Sequence, residues 1–464
     1  MSFNSFFSKE KITAGAGFNR WVVPIAALAI HLSIGQIYAY SVFNEPLTRV
    51  IGIEQSAEDD WSLATLGWIF SLALFCLGAS AAIFGKWVER VGPRLTMFVA
   101  AVCFSSGFLI SALGVHLHIV WLLYLGNGII GGIGLGLGYI SPVSTLIKWF
   151  PDKPGMATGL AIMGFGGGAM IASPLSVTLM DSFSSISSVG IIETFVVMAC
   201  IYLCLMMIGV FIVRIPGEDW KPSGFDPSTQ ESNPMITTGN VLADNAIRTP
   251  QFYLLFVVLM LNVTAGIGVL GQASVMIQEI FSEEVVGAQH AITAGKAAGF
   301  VGLLSLFNML GRFFWSSLSD WIGRRNTYII FFLLGICLYC AIPGIGSMGS
   351  ALLFVIAFCI ILSMYGGGFA TIPAYLRDMF GTLQVGAIHG RLLLAWSAAA
   401  IIGPVLINYI REYQLEVQLM SKNEVYSTTM YIMAGLLVVG LIANLMIKPV
   451  HKKYHQAPAS TSNV

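Results

Sequence analysis

The sequence predicts an all-α membrane protein in which twelve transmembrane helices form two pseudo-symmetric bundles of six. Three observations predict it. Of 464 residues, 56% are hydrophobic and only 10% charged, against about 25% charged in ordinary soluble domains. Apolar runs long enough to cross roughly 30 Å of hydrocarbon recur down the chain. One long polar interruption divides those runs six and six.

The runs cover residues 20–44, 61–85, 95–114, 119–141, 156–179, 190–213, 251–279, 291–319, 327–346, 350–373, 387–410 and 428–447. They imply an N-terminal segment 1–19, a first bundle 20–213, a linker 214–250, a second bundle 251–447 and a tail 448–464. The first apolar run is too long for the core of a signal peptide and is read as a retained span. The linker is rich in Pro, Ser, Asn and Asp. It is too short and too polar for a catalytic domain.

Lys and Arg set the orientation, because cytoplasmic segments carry their excess. With the N-terminus inside, that side collects Lys9, Lys11, Arg20, Lys86, Arg90, Arg94, Lys148, Lys153, Arg214, Arg324, Arg325 and Lys448, among others. The opposite side keeps Arg49, Lys296, Arg411 and Lys422. Both termini and the linker are therefore expected in the cytoplasm, with the helices in the plasma (inner) membrane against lipid and the chain a monomer.

Other functions are argued against. The chain has 23 Lys plus Arg and 23 Asp plus Glu, a balance that suggests no nucleic acid and no acidic partner. The seven cysteines all fall in apolar runs, and the pair in "CLYC" (337–340) lacks a second pair or a nearby His to complete a metal site. "GNGIIGGIGLGLG" (126–138) contains G-x-G-x-x-G, but a dinucleotide site needs a strand before it and a helix N-terminus after it. Inside an apolar helix, such glycines let backbones pack closely. No cofactor, no metal and no catalytic constellation is implied, so the chain is not read as an enzyme.

The halves echo each other. "GKWVERVGPR" (85–94) and "SSLSDWIGRR" (316–325) each place an acid, then Gly three residues later, then basic residues. "YISPVSTLIKWFPDKPGMATG" (139–159) parallels "ATIPAYLRDMFGTLQVGAIHG" (370–390), with Pro142 matching Pro373, Phe150 matching Phe380 and Gly159 matching Gly390. Two related halves of six is the architecture of a secondary transporter. Glu89, Arg90, Arg94, Asp320, Arg324 and Arg325 stand at inner helix ends. Charge-assisted bonds there can latch neighbouring helices in one state; the plainer role is anchoring at the membrane surface.

These paired loops resemble the signature loops of the major facilitator superfamily. Within it, "WFPDKPGMATG" (149–159), "YGGGFATIPAYLRDMFGT" (365–382) and "GRFFWSSLSDWIGR" (311–324) resemble the oxalate–formate antiporter family, which shares ancestry with the monocarboxylate transporters. The resemblance covers nearly the whole chain. It implies the major facilitator fold, with one central anion site opening alternately to either face.

Arg312 is the informative charge. It lies eight residues before Asp320, about 12 Å deeper at 1.5 Å per residue. An arginine near the bilayer middle costs roughly 2.5–3.5 kcal/mol on insertion scales, so it must face a cavity or a partner. No Asp or Glu occupies the middle of any span. A partner from outside, a small carboxylate anion held by the guanidinium fork, answers the charge. The matching arginine binds the substrate carboxylate in the family, which is what the resemblance implies here.

By motif register, Tyr38, Tyr139, Tyr365 and Trp396 match cavity positions of the family, and so do Phe165 and Phe369, which lack a polar donor. Tyr hydroxyls and the Trp N–H can donate to a carboxylate while the rings exclude water; plain packing is the alternative. The same register puts Trp396 where the family's oxalate carrier has a second cation, a lysine. Arg391, more than one turn closer to the cytoplasm, either lines a vestibule or anchors its helix. His31, seven residues before Tyr38 on one helix face, is a candidate for proton coupling or a neutral histidine bonded to a neighbouring helix.

The expected function is secondary active transport of small organic anions, monocarboxylates such as formate, pyruvate or lactate, as exchanger or proton symporter. A multidrug or cation efflux carrier would want a membrane-embedded acid. A non-transporting membrane sensor would want an effector domain. The sequence offers neither.

Overall fold

A computed structural model of the chain describes residues 6–15, 17–217, 220–225, 234–421 and 424–456. Among the described residues, twelve helices are long and apolar enough to cross a membrane. They are α1 (Val22–Leu47), α2 (Leu63–Val91), α3 (Pro93–His116), α4 (Val120–Trp149), α5 (Pro154–Phe183), α6 (Ile191–Ile212), α7 (Pro250–Ile280), α8 (Ala294–Ile322), α9 (Arg324–Ser347), α10 (Ala351–Phe380), α11 (Val385–Glu416) and α12 (Val425–Met446). Each contains most of one predicted run. Several continue past it at the linker end, because hydropathy marks the edge of the hydrocarbon and not the end of the helix. Three of them stop at glycines with positive φ: Gly92 after α2, Gly323 after α8 and Gly381 after α10. That backbone region is costly for a residue with a Cβ, which is why glycine ends the helix there.

The pseudo-symmetry is visible in the packing. In the first half α1 packs on α5 and α6, α2 on α4, and α3 on α4 and α6. Adding six to each number gives the second half: α7 on α11 and α12, α8 on α10, and α9 on α10 and α12. The halves meet along two seams, α5 with α8 and α2 with α11. These are the same pairing under the same offset.

Both ends of the described chain lie at the linker end of the bundle. Ala14 N–H donates to the Ile215 carbonyl at 2.9 Å, and Gln456 N–H to the Asn240 carbonyl at 2.8 Å. At this end the seams are closed. A Cβ placed on Gly159 of α5 would lie 2.9 Å from the Arg312 carbonyl oxygen of α8, and one on Gly390 of α11 would lie 2.1 Å from the Ala81 carbonyl oxygen of α2. At the other end the same helices part: Gly67 of α2 and Gly299 of α8 have no neighbour within 4 Å of such a Cβ.

Three helices depart from regular geometry along their length. α1 is α-helical to Ile34 and then tightens to a 3-10 helix over Gly35–Phe43. α4 widens to a π-helix over Tyr124–Ile130, at the start of the glycine string. α11 is interrupted at Leu393, whose carbonyl accepts from both Trp396 and Ser397 N–H. Irregular turns of this kind often mark functional positions.

Candidate functional site

Arg312 lies ten residues from the linker end of α8 and is fully buried. Its guanidinium carbon sits 5.7 Å from the ring centre of Phe165 on α5 and 5.3 Å from that of Phe369 on α10. One ring comes from each half. Aromatic faces attract a cation, so the two residues without a polar donor hold the charge in place. Nε donates to Asn308 Oδ1 at 3.2 Å, one turn back on α8, and Nη1 to the Ile162 carbonyl at 3.4 Å. Nη2 is buried without a partner. Arg312 forms no ion pair with any described carboxylate.

The structure gathers the predicted aromatics around this charge. Trp396 packs on Phe369 at 4.8 Å between ring centres and on Phe165 at 5.8 Å. Tyr139 packs on the same two phenylalanines, each at 5.5 Å. Tyr38 packs on Phe165 at 5.1 Å. Its hydroxyl meets that of Tyr365 at 3.3 Å, a contact between the two halves. Tyr139 and Trp396 are fully buried, yet the Tyr139 hydroxyl and Trp396 Nε1 have no partner. Buried polar atoms are almost always satisfied. Three polar groups around one ring cluster, Arg312 Nη2, the Tyr139 hydroxyl and Trp396 Nε1, are thus left without a protein partner.

A cavity of about 460 Å³ lies on the side away from the linker, lined by Tyr38, Ser41, Phe70, Gly166, Leu270 and Asn308 among others. Asn308 thus faces the cavity and also holds Arg312. Tyr38, whose hydroxyl meets that of Tyr365, lines it, and Arg312 lies one helical turn from Asn308.

The acid–glycine–basic loops divide their work. At the α2–α11 seam, Glu89 accepts from Gly386 N–H at 3.0 Å and from Lys148 Nζ at 2.7 Å. At the α5–α8 seam, Asp320 accepts from Gly155 and Met156 N–H at 2.9 and 2.8 Å. Each acid meets the unsatisfied N–H groups at the first turn of a helix in the other half, where the helix dipole also favours a negative charge. The basic residues do not cross the seams. Arg324 bonds Asp320 at 2.5 Å and Asp378 at 3.1 Å, both in its own half. Arg94 bonds the Phe6 and Val213 carbonyls, and Arg325 the Leu445 carbonyl. Arg90 is exposed and bonds none of the described residues. The direct contacts across the seams thus come from the acids; Arg324 bonds one of them, while Arg94 and Arg325 tie helix ends within a half.

His31 is buried against the Tyr139 ring, with Nε2 3.3 Å from the Tyr139 carbonyl. Arg391 of α11 is held by the linker. It donates to the Ala243 carbonyl at 2.6 Å and to Asp244 at 2.7 Å, while Lys86 of α2 bonds the other Asp244 oxygen. These bonds to Lys86 and Arg391 hold the Asp244 carboxyl below its ordinary value, at about 2. Asp244, Lys86, Asn308 and His389 were not singled out from sequence. Asn308 stands four residues before Arg312, a spacing that places the pair on one helix face.

A family model described as Major Facilitator Superfamily matches residues 12–404. The oxalate:formate antiporter of Oxalobacter formigenes is 25% identical over 83% of this chain and 83% of its own. The uncharacterized MFS-type transporter YhjX of Escherichia coli K12 is 24% identical over 82% and 86%, and human monocarboxylate transporter 11 is 25% identical over 84% and 77%. Among solved structures, the E. coli fucose:proton symporter FucP overlays with a TM-score of 0.64 at 13% identity, covering 92% of this chain and 99% of that one. The proton:xylose symporter XylE overlays at 0.65 and 15%, covering 91% and 94%. At these identities the overlays speak for the fold. The family model spans most of the chain, and the chain belongs to the Major Facilitator Superfamily.

Proposed function

We propose that this transporter carries small organic anions, specifically monocarboxylates such as formate, pyruvate or lactate, by alternating access, with Arg312 as the carboxylate site. One observation carries the reading: a fully buried arginine ten residues from the linker end of α8, with no acidic partner among the described residues and an unpaired Nη2. Leaving such a donor unsatisfied costs about 1–3 kcal/mol, more for a charged group. A carboxylate entering through the cavity would relieve that cost, with the Tyr139 hydroxyl and Trp396 N–H as further donors. The names of two relatives, an oxalate:formate antiporter and a monocarboxylate transporter, agree with this chemistry.

In this reading the bundles 20–213 and 251–447 rock about the site. The linker 214–250 and both termini lie in the cytoplasm, as the Lys and Arg bias argues. The conformation seen is then closed inside and open towards the exterior as far as Tyr38. Uptake of labelled formate, pyruvate, lactate and oxalate into proteoliposomes tests the reading. Saturable uptake of monocarboxylates, abolished in Arg312→Ala, is expected; uptake of none of them would refute it.

A further inference from the structure

Two histidines flank the proposed site without a role in holding the carboxylate. His31 on α1 and His389 on α11 come from different halves, are both buried, and lie against the same ring. The ring centres are 5.4 Å apart for His31 and Tyr139, and 5.7 Å for Tyr139 and His389. His31 Nε2 faces a carbonyl, which only accepts, so the neutral ring carries its proton there and Nδ1 is a bare acceptor. Both His31 Nδ1 and His389 Nε2 are buried without a partner. Two imidazoles thus offer unpaired nitrogens around one tyrosine.

Most charged groups of the surrounding helices are held by other partners; Arg90 of α2 is exposed and away from the site. On α2, Glu89 bonds Lys148 of α4 and the first turn of α11. Arg391 of α11 and Lys86 of α2 are held by Asp244. Arg94 of α3 is bound to carbonyls at the linker end, and Tyr202 of α6 packs on Phe104 and Phe108. Glu279 of α7 is bound to Arg411 and to Tyr426 of α12. The α10 neighbour of Tyr139 is the neutral Phe369. Arg312 remains. It and His31 lie against the same turn of α5: Arg312 bonds the Ile162 carbonyl, and a Cβ on Gly164 would touch His31 Cβ at 3.2 Å.

We propose that His31 and His389 together bind one proton across the interface of the halves, as the companion of the carboxylate on Arg312. The inference rests on the carboxylate reading. While Arg312 is unpaired, a second cation beside it is repelled. Once a carboxylate neutralises Arg312 that repulsion is gone, and the negative charge brought into the site favours a proton on the neighbouring imidazoles, taken from the solution that delivered the anion. Anion and proton then leave together, and nothing else is consumed. The coupling is reciprocal: the bound anion raises proton affinity by the factor by which the proton raises anion affinity. Because one histidine belongs to each half, parting of the halves separates the pair, which ties proton release to the conformational change.

The test is pyruvate binding to the purified protein, followed by tryptophan fluorescence from pH 8 to pH 6, where pyruvate stays ionised. A pH-indicator dye in weak buffer counts protons taken up on binding. The parent should bind about tenfold more tightly per pH unit over the steepest part of the range and take up close to one proton per pyruvate. His31→Gln and His389→Gln should each flatten the pH dependence and lose the proton uptake. A parent that binds with no proton uptake overturns the proposal and leaves the carboxylate site standing. Unchanged uptake in both variants overturns it equally. Pyruvate binding that survives Arg312→Ala refutes the underlying carboxylate reading instead. The dye measurement on the parent needs no variant to fold.

Discussion

Gly159 and Gly390 occupy equivalent places in the two halves and allow the same contact, each bringing its helix onto the backbone of a helix in the other half. A Cβ on Gly390 would stand 2.1 Å from the Ala81 carbonyl oxygen, and one on Gly159 would stand 2.9 Å from that of Arg312. Neither glycine has a positive φ. The requirement is space, and only a hydrogen supplies it.

Gly390→Val should therefore disfavour the state closed at the linker end without unfolding the chain, since the clash vanishes when α2 and α11 part. Ser144 is buried at this seam, next to Gly386. In a cysteine-free background, Ser144→Cys should react slowly with a thiol reagent added from the linker side, and at least severalfold faster once Gly390→Val is added. An unchanged rate in a well-folded double variant would show that the seam does not open with transport.

The linker clamp gives a smaller effect and a definite pH behaviour. Asp244 is about half exposed, so its bonds are worth little individually, typically about 0.2–1 kcal/mol. Asp244→Asn leaves Lys86 and Arg391 without their carboxylate and should speed Ser144→Cys labelling about two- to fivefold. The native carboxyl titrates near 2, below its ordinary 3.8. The clamp is then at full strength above about pH 4 and is lost only as pH falls towards 2. The effect of Asp244→Asn should be equal at pH 6 and pH 8. A clamp that weakened over that range would need a different titrating partner.

Arg312→Lys tests the shape of the charge. The guanidinium is wedged between Phe165 and Phe369 and bonded to Asn308. An ammonium keeps the charge but not the planar fork. Monocarboxylate uptake at subsaturating concentration should fall at least tenfold in Arg312→Lys and disappear in Arg312→Ala, with insertion retained in both. Transport at the parent rate in Arg312→Ala would make the residue structural.

Much of this was legible in the sequence, for physical reasons that also set the limits. Spans follow from hydropathy because lipid excludes polar runs, and Arg312 stood out because a charge at that depth is costly. The aromatic box followed from motif register. His389 escaped notice because nothing in "VGAIHGRLL" shows that its helix faces Tyr139 across the halves. Asp244 escaped because an acid in a polar linker is unremarkable until Lys86 and Arg391 are seen beside it. Acid and base look alike in a short loop, so the sequence does not separate their contacts. Only the structure shows that Glu89 and Asp320 cross the seams while Arg94 and Arg325 stay within their halves.

Trp396 should set the preference for monoanions over dianions. Its ring packs on Phe369 and Phe165, the two faces that hold Arg312, and its Nε1 is unpaired. The site can therefore give a second substrate oxygen a neutral N–H, but no second permanent cation. A second carboxylate would enter without a partner, and an uncompensated buried charge costs several kcal/mol. Each 1.4 kcal/mol is tenfold in affinity. Oxalate should thus compete for pyruvate uptake at least tenfold more weakly than formate or lactate at pH 7.5. Trp396→Lys should narrow or reverse that order by supplying the missing cation at the same place. Equal competition by oxalate in the parent at pH 7.5 would mean that another group, with His31 and His389 the nearest candidates, already carries positive charge in the empty site. That would be tested by repeating the competition in His389→Gln, where the oxalate preference should then collapse.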